Sequence, residues 1–130
     1  MFIDSVVWIA LASKKDQWHK NALKLKNQIL KLDKIYVTDL IINETYNFLL
    51  RKVSFSAASD TLAMFLESPK ITIMFNNFLT LSNTRNILMK HTHLSLTDAN
   101  IVWFSENFNK KEVMSFDKGF DSVQTISRIP

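Results

Sequence analysis

The sequence predicts one α/β domain spanning residues 1–130, with three α/β/α layers built around a mostly parallel central sheet. Two observations support this fold class. Short apolar segments typical of buried strands alternate along the chain with longer segments that have the spacing of amphipathic helices. The length of 130 residues is enough for one hydrophobic core. In such a sheet, functional sites form beyond the carboxyl ends of the strands.

The predicted strands are short and apolar. In chain order they are the segments MFI, IYV, KITIMF and EVMSF, with VQTI as a last edge strand. KITIMF is rich in β-branched and apolar side chains, which is typical of a strand in the interior of a sheet. A turn, DKGFD, is predicted directly after EVMSF.

Helices are predicted between these strands. They cover the segments SVVWIALAS, DQWHKNALKLKNQILKL, TDLIINETYNFLLRK, SFSAASDTLAMFLES, NNFLTLSNTRNILMKH and SLTDANIVWFSENF. The second helix has the clearest pattern, because one apolar stripe runs along its whole length. That stripe consists of Trp18, Ala22, Leu25, Ile29 and Leu32. Asp16 is placed to cap this helix, and Thr38 to open the next one.

Composition narrows the possible functions. The formal net charge of +4 weakly favours an anionic partner such as nucleic acid. The absence of cysteine excludes disulfides, thiolate metal sites and cysteine nucleophiles, and a single glycine excludes glycine-rich phosphate loops. No apolar run approaches the ~20 residues that span a bilayer, and the N-terminus lacks the basic segment of a signal peptide. We therefore expect a cytoplasmic protein without a membrane partner.

Some acidic residues lie in apolar surroundings, where an uncompensated carboxylate is costly. These are Asp4, Glu44, Asp98 and Asp117. Asp4 and Asp117 each directly follow a predicted strand, whereas Asp98 and Glu44 lie in early turns of helices that start from the same sheet edge. Carboxylates gathered at one edge would repel each other, and a divalent cation would relieve that repulsion. An all-oxygen ligand set indicates Mg²⁺ or Mn²⁺ rather than zinc.

Each of these acids also has a purely structural explanation. Asp4 could cap the helix that follows it, and Asp98 could complete a capping box with the serine three residues earlier. Asp117 could open the DKG turn. Glu44 has no capping role in mid-helix, so its alternative is an ion pair with Arg51 in largely buried surroundings. The sequence leaves both kinds of explanation open.

At these residues the sequence resembles the PIN domain, and specifically the toxin ribonucleases of the VapC type. The resemblance runs essentially end to end and rests on the segments FIDSVVWIAL, TDLIINETYNFL, LSLTDANIV and VMSFDKGFDSV. It implies an acidic pocket that holds one or two Mg²⁺ or Mn²⁺ ions and hydrolyses RNA. It also implies a homodimer, and inhibition by a small antitoxin protein that inserts a segment near the pocket.

The resemblance assigns roles by position. The acids that match the four of the family, as catalytic and metal-binding residues, are Asp4, Glu44, Asp98 and Asp117. Asp121 matches an acid that is less regular in the family and is a further metal-site residue, acting through a bound water. Ser5 and Ser115 match small hydroxyl residues that support the acids. Asn100 is a departure, because relatives more often have an apolar residue there.

Substrate-binding residues are less clearly indicated. Those predicted to contact phosphates are Lys118, Arg51, Lys52 and Arg85, of which Lys118 is favoured because it follows an acid of the pocket. Lys20, Lys24 and Lys31 form a basic face on the second helix, which is more typical of a solvated surface than of an RNA contact. Trp18 fits the core or a dimer interface better than base stacking.

Other functions compete with the toxin interpretation. A housekeeping RNA-processing nuclease would use the same chemistry without an antitoxin. A catalytically inert PIN-like module would only bind RNA or protein, but such modules are expected to lack one or more of the acids. A phosphoaspartyl phosphatase is disfavoured because Val6 occupies the second position of its DxD motif. A phosphoreceiver domain is disfavoured because adjacent acids are missing after the first strand.

Overall fold

A five-stranded sheet organises the chain in the computed structural model, which describes residues 1–130. The strands are β1 (Phe2–Ile3), β2 (Ile35–Thr38), β3 (Ile71–Met74), β4 (Glu112–Met114) and β5 (Ser127–Ile129). Their order across the sheet is β3-β2-β1-β4-β5. All four pairings are parallel, which confirms the predicted α/β/α fold class.

Six α-helices connect and cover the strands. They are α1 (Ser5–Ala12), α2 (His19–Lys31), α3 (Asp39–Lys52), α4 (Phe55–Glu67), α5 (Phe78–Lys90) and α6 (Leu96–Asn107), and a 3₁₀ helix (Lys118–Ser122) follows β4. The closest helix pairs are α3 with α4 and α5 with α6. None of the helices has the length and apolar character that crossing a membrane requires.

Side-chain caps fix where most of the helices begin. Thr38 accepts a hydrogen bond from the Ile41 amide at the start of α3, and Ser54 does the same for Ala57 in α4. Reciprocal capping boxes start α5 and α6. These bonds satisfy amide groups that have no partner within their own helix, so the helix starts follow from local sequence.

The hydrophobic core is centred on the two middle strands. Phe2 and Ile3 of β1 and Val113 and Met114 of β4 are all fully buried. They belong to one cluster of 22 buried residues that also includes Ile101 and other side chains of α6. Both central strands are covered on both faces, as expected for a parallel sheet with helices on each side.

The boundaries of three local features differ from the prediction. The VQTI segment is not a strand, because Val123 packs into the core after the 3₁₀ helix and the chain then turns before β5 begins. The last strand is β5, which pairs with β4 from Ser127 to Ile129. The DKGFD turn forms a 3₁₀ helix. Asp16 accepts a hydrogen bond from the Trp18 amide and stabilises the turn before α2, which begins later than predicted.

The strand order creates a crevice at the carboxyl edge of the sheet. From β1 the chain proceeds to β2 and β3 on one side, whereas β4 and β5 lie on the other side. The segments that leave β1 and β4 therefore diverge, which is the topological switch point where sites form in α/β proteins. The Asp4 amide donates to the Met114 carbonyl oxygen at 3.0 Å and joins the two strand ends.

Candidate functional site

A cavity of about 310 Å³ lies at the switch point. Its lining residues are Asp4, Ser5, Val6, Trp18, Glu44, Ser95, Asp98, Phe116 and Asp117. They come from the ends of β1 and β4, from α3, from the start of α6 and from the residue before α2. The four acids singled out in the sequence therefore share one cavity, although they come from four separate parts of the chain.

Asp4 is held in place by three hydrogen bonds. Its Oδ1 accepts from the Ser5 amide at 2.6 Å and from the Ser5 hydroxyl at 3.2 Å. Its Oδ2 accepts from the Ser115 hydroxyl at 2.7 Å. The Ser115 Oγ in turn accepts from the Asp117 amide at 2.9 Å. Asp4 is only 3 % exposed, so both predicted supporting serines contact a buried carboxylate that also caps α1.

Asp98 is also buried and is fixed by its own helix. It forms a capping box with Ser95, in which the Asp98 amide donates to the Ser95 hydroxyl oxygen and the Ser95 amide donates to the Asp98 carboxylate. The capping explanation and the cavity explanation therefore both hold for this residue. The first turn of α6 points the carboxylate into the cavity and restricts its rotation.

The other two acids are exposed. Asp117 accepts a hydrogen bond from the Gly119 amide at 2.7 Å and so does open the turn, as its structural explanation proposed. The expected burial of Glu44 is wrong, and it forms no ion pair with Arg51. Its side of α3 faces the open end of the crevice and not the core, because the cavity continues past it.

The buried acids carry unfavourable charge. Burial, together with the neighbouring carboxylates of Asp98 and Glu44, raises the pKa of Asp4 to about 7, although the hydrogen bonds from Ser115 and Ser5 act in the opposite direction. Burial also raises the pKa of Asp98, and Asp117 and Glu44 contribute in the same direction. The like charges in the cavity thus destabilise one another, and a bound cation would remove that penalty.

The residues around the cavity match the preference of a hard divalent cation. All the charged donors are carboxylate oxygens, the ligand type of Mg²⁺ and Mn²⁺. No three histidine or acidic side chains converge closely enough to form a complete metal cluster. Asp4 and Asp98 are held by hydrogen bonds from serine, whereas Glu44 and Asp117 are exposed and have room to move.

Asp121 lies outside the lining of this cavity. Its two carboxylate oxygens accept from Arg128, Oδ1 from Nε at 2.6 Å and Oδ2 from Nη2 at 2.9 Å. The hydrogen bonds from the Arg128 guanidinium hold the pKa of Asp121 below its ordinary value. Arg128 also donates to the Ser115 carbonyl oxygen, so the pair supports the segment that follows β4. A metal role for Asp121 stays a prediction, with Arg128 as an alternative partner.

The predicted phosphate-binding residues are separated in space. Lys118 lines a neighbouring cavity that shares Trp18 with the acidic one. Arg51 lines a different neighbouring cavity, on the side of Glu44. Lys52 and Arg85 are exposed and line neither the acidic cavity nor these two neighbours.

Four lining residues were not predicted as parts of a site, and one of them is Val6 of α1. Trp18 and Phe116 stack with ring centroids 5.1 Å apart and form an aromatic wall of the cavity. Ser95 was predicted only as a helix cap. Phe116 precedes Asp117 directly, and this adjacency was the available signal; nothing in the local pattern indicated that Trp18 would meet it.

The fold and the cavity together define a class of protein, the three-layer α/β/α domains with an acidic cleft at the carboxyl edge of a parallel sheet. The family model described as PIN domain matches residues 1–126. The chain therefore belongs to the PIN domain family, which confirms the resemblance seen in the sequence. A comparison with curated protein sequences gives no significant match.

Several solved structures are similar to this one. VapC20 of Mycobacterium tuberculosis, described as a sarcin–ricin loop cleaving toxin, has a TM-score of 0.85 at 21% identity, covering 95% of this chain and 94% of that chain. VapBC2 of Rickettsia felis, bound to a promoter DNA fragment, has a TM-score of 0.66 at 13% identity, and the match covers 98% of this chain and 96% of that chain. FitAcB of Neisseria gonorrhoeae has a TM-score of 0.67 at 12% identity, and the match covers 99% of this chain and 96% of that chain. At these identities the likeness concerns the fold.

Proposed function

We propose that the protein is a divalent-metal-dependent endoribonuclease that hydrolyses RNA phosphodiester bonds in the acidic cavity. The observation that carries this proposal is the gathering of Asp4, Glu44, Asp98 and Asp117 around one cavity at the switch point of the sheet. Membership of the PIN domain family supports it, as does the fold shared with VapC20, a toxin described as cleaving the sarcin–ricin loop.

These four carboxylates would hold one or two Mg²⁺ or Mn²⁺ ions. When bound, such an ion supplies Lewis acidity, which favours ionisation of water and offsets negative charge on the phosphoryl oxygens. Asp4 and Asp98 provide fixed oxygens, because serine hydrogen bonds restrict both side chains. Glu44 and Asp117 are exposed at the same cavity and would complete the set.

The proton of the attacking water needs an acceptor within the cavity. Glu44 and Asp98 both line it and are the candidates for the general base. No histidine, lysine or tyrosine is among the lining residues, and the only carboxylate partner of the Ser5 hydroxyl is Asp4, which is already assigned to the proposed metal site. Direct attack by water therefore fits this chain better than a covalent intermediate on one of its own side chains.

The test of this function uses one buried acid and one matched surface acid. Asp98→Asn keeps the size of the side chain but removes its charge, so Mn²⁺-dependent cleavage of RNA should fall on the order of 10²-fold or more. Asp33→Asn, at an exposed aspartate outside the cavity, should cleave at the wild-type rate. Circular dichroism establishes that both variants are folded.

A metal titration separates the enzyme from an inert binding module. Mn²⁺ should broaden NMR resonances of residues around the cavity in the wild-type protein, and much less in the Asp98→Asn variant. Unchanged cleavage by folded Asp98→Asn, or no Mn²⁺ binding near the acids, would contradict the proposal.

We further propose that the protein is the toxin of a toxin–antitoxin pair, acts in the cytoplasm and forms a homodimer. Two of the similar structures are VapBC2 and FitAcB, which favours a small protein partner for this chain as well. Apolar side chains at the start of α5 are strongly exposed, Phe78 by 89 % and Leu79 by 66 %. A short gene immediately upstream that encodes a binding partner would distinguish a toxin from a housekeeping nuclease.

A further inference from the structure

The acidic cavity is the middle one of three adjoining cavities. One neighbour, of about 300 Å³, shares Trp18 and Phe116 with it. The other, of about 570 Å³, shares Glu44 and Ser95 with it. Because each neighbour has lining residues in common with the centre, we refer to the three adjoining cavities together as the trough. We call them the aromatic-side cavity, the acidic cavity and the α3-side cavity.

Charge is distributed unevenly along this trough. The aromatic-side cavity is lined by Lys24, Lys118 and Arg128 and by no acidic side chain. The α3-side cavity contains Arg51, and its only acid is the shared Glu44. Cations therefore lie at both ends of the trough, whereas the remaining carboxylates lie in the middle.

Three of these cations are free to bind a ligand. Arg128 is occupied, because it is paired with Asp121 in the only ion pair of the structure and its side chain is 14% exposed. Lys24, Lys118 and Arg51 are exposed and have no carboxylate partner. Lys24 belongs to the helix face that the sequence pattern attributed to simple solvation, but the fold brings it beside Lys118 in one cavity.

We propose that the trough binds a single-stranded RNA segment, with Lys24 and Lys118 contacting phosphate on one side of the carboxylates and Arg51 on the other. This inference rests on the proposed nuclease function and assigns the binding track of that site. A polyanion that crosses an acidic centre needs cations on both sides, since carboxylates repel its flanking phosphates. The stacked Trp18–Phe116 pair adds an apolar wall against which an unpaired base can pack.

The test measures RNA binding separately from cleavage. Fluorescence anisotropy of a short labelled single-stranded RNA in EDTA reports affinity when no divalent ion is present to support hydrolysis. The Lys24→Ala/Lys118→Ala double variant should bind about tenfold more weakly, and the slope of log affinity against log salt should shrink by about 1.4, at about 0.7 per lost phosphate contact. Arg51→Ala should show about half that change in slope.

The matched control is Lys26→Ala/Lys111→Ala. It removes the same two positive charges from exposed positions outside the trough, so its affinity should stay close to that of the wild type. In cleavage assays with Mn²⁺, the Lys24→Ala/Lys118→Ala variant should raise KM and leave kcat nearly unchanged.

Two results would contradict the proposal that the trough binds RNA. One is an equal loss of affinity in the control variant, which would mean that only the overall charge matters. The other is Mn²⁺-dependent cleavage with an unchanged KM in the Lys24→Ala/Lys118→Ala variant. If the wild-type protein does not cleave RNA but binding still depends on Lys24 and Lys118, the nuclease function fails and the binding track stands.

Discussion

Asp4 serves local structure and the candidate site at once. Its Oδ1 caps α1 through the Ser5 amide, and its Oδ2 accepts from Ser115 across the β1–β4 junction. A cap alone does not require burial, and an exposed aspartate would cap α1 equally well. The burial of Asp4 beside Asp98 is therefore a cost that the helix cap does not explain, and that the proposed cation site would explain.

That cost predicts a dependence of stability on pH. The pKa of Asp4 rises from 3.8 to about 7 on folding, so the folded state holds a proton that the unfolded state releases. Without divalent ions, the contribution of Asp4 to stability should fall as pH rises from about 4 to about 7, by at most about 4 kcal/mol, and level off above. Asp4→Asn should remove most of this dependence, and Mn²⁺ should restore stability to the wild type at pH 8.

Urea unfolding in EDTA at pH 5 and pH 8, for the wild type and Asp4→Asn, measures this effect. If both proteins lose the same stability between pH 5 and pH 8, Asp4 is not the source of the pH dependence. Asp33→Asn, at an exposed site, controls for the loss of one charge.

At the scale of elements, two amide side chains, Asn100 buried and Asn76 half-buried, join α6 to the segment before α5. Asn100, which is fully buried, donates from Nδ2 to Asn76 Oδ1 at 2.8 Å and to Thr84 Oγ1 at 2.9 Å. Asn76 Nδ2 donates back to Asn100 Oδ1 at 3.0 Å, and Asn76 also donates to Asp39 at the start of α3. This network gives the departure from the family pattern at position 100 a physical reason, because the polar side chain there is fully paired.

Asn100→Leu should therefore destabilise the protein by about 1–3 kcal/mol, since it leaves the buried side of Asn76 without its partner. Asn86→Leu, at an exposed position of α5, should change stability by less than about 0.5 kcal/mol. Chemical denaturation measures both values. A loss for Asn100→Leu no larger than for Asn86→Leu would mean that the network contributes little.

At the scale of the whole molecule, apolar side chains are exposed around the start of α5. Phe75, Phe78 and Leu79 are 70 %, 89 % and 66 % exposed. Several large apolar groups at this exposure within five residues of sequence are typical of an interaction surface. This surface is the one on which we base the proposed homodimer.

Phe78→Asp should weaken self-association by at least about tenfold, because a buried phenylalanine contributes about 1.5–3 kcal/mol. Sedimentation velocity over a concentration series measures the dissociation constant. The control is Leu30→Asp, which introduces the same charge at a 60 % exposed position of α2. A wild-type protein that stays monomeric, or an equal effect of both variants, would place the dimer interface elsewhere or exclude it.

Much of the fold and of the candidate site can be predicted from the sequence alone. The alternation of strands and helices, the capping residues of α3 and α6 and the four acids in apolar surroundings are local patterns, and local patterns report the periodicity and capping of each element. The carboxyl-edge rule for parallel sheets was enough to predict that these acids would gather, although their chemical roles stay predictions.

Only the tertiary structure decided which distant side chains meet. It stacked Trp18 on Phe116, paired Asp121 with Arg128, exposed Glu44, and put Lys24 beside Lys118. The start of β5 also depended on its pairing with β4 rather than on its own apolar content. The physical reason is the same in each case: a residue pattern encodes which face of an element is apolar, but the angle and register at which elements pack determine each contact.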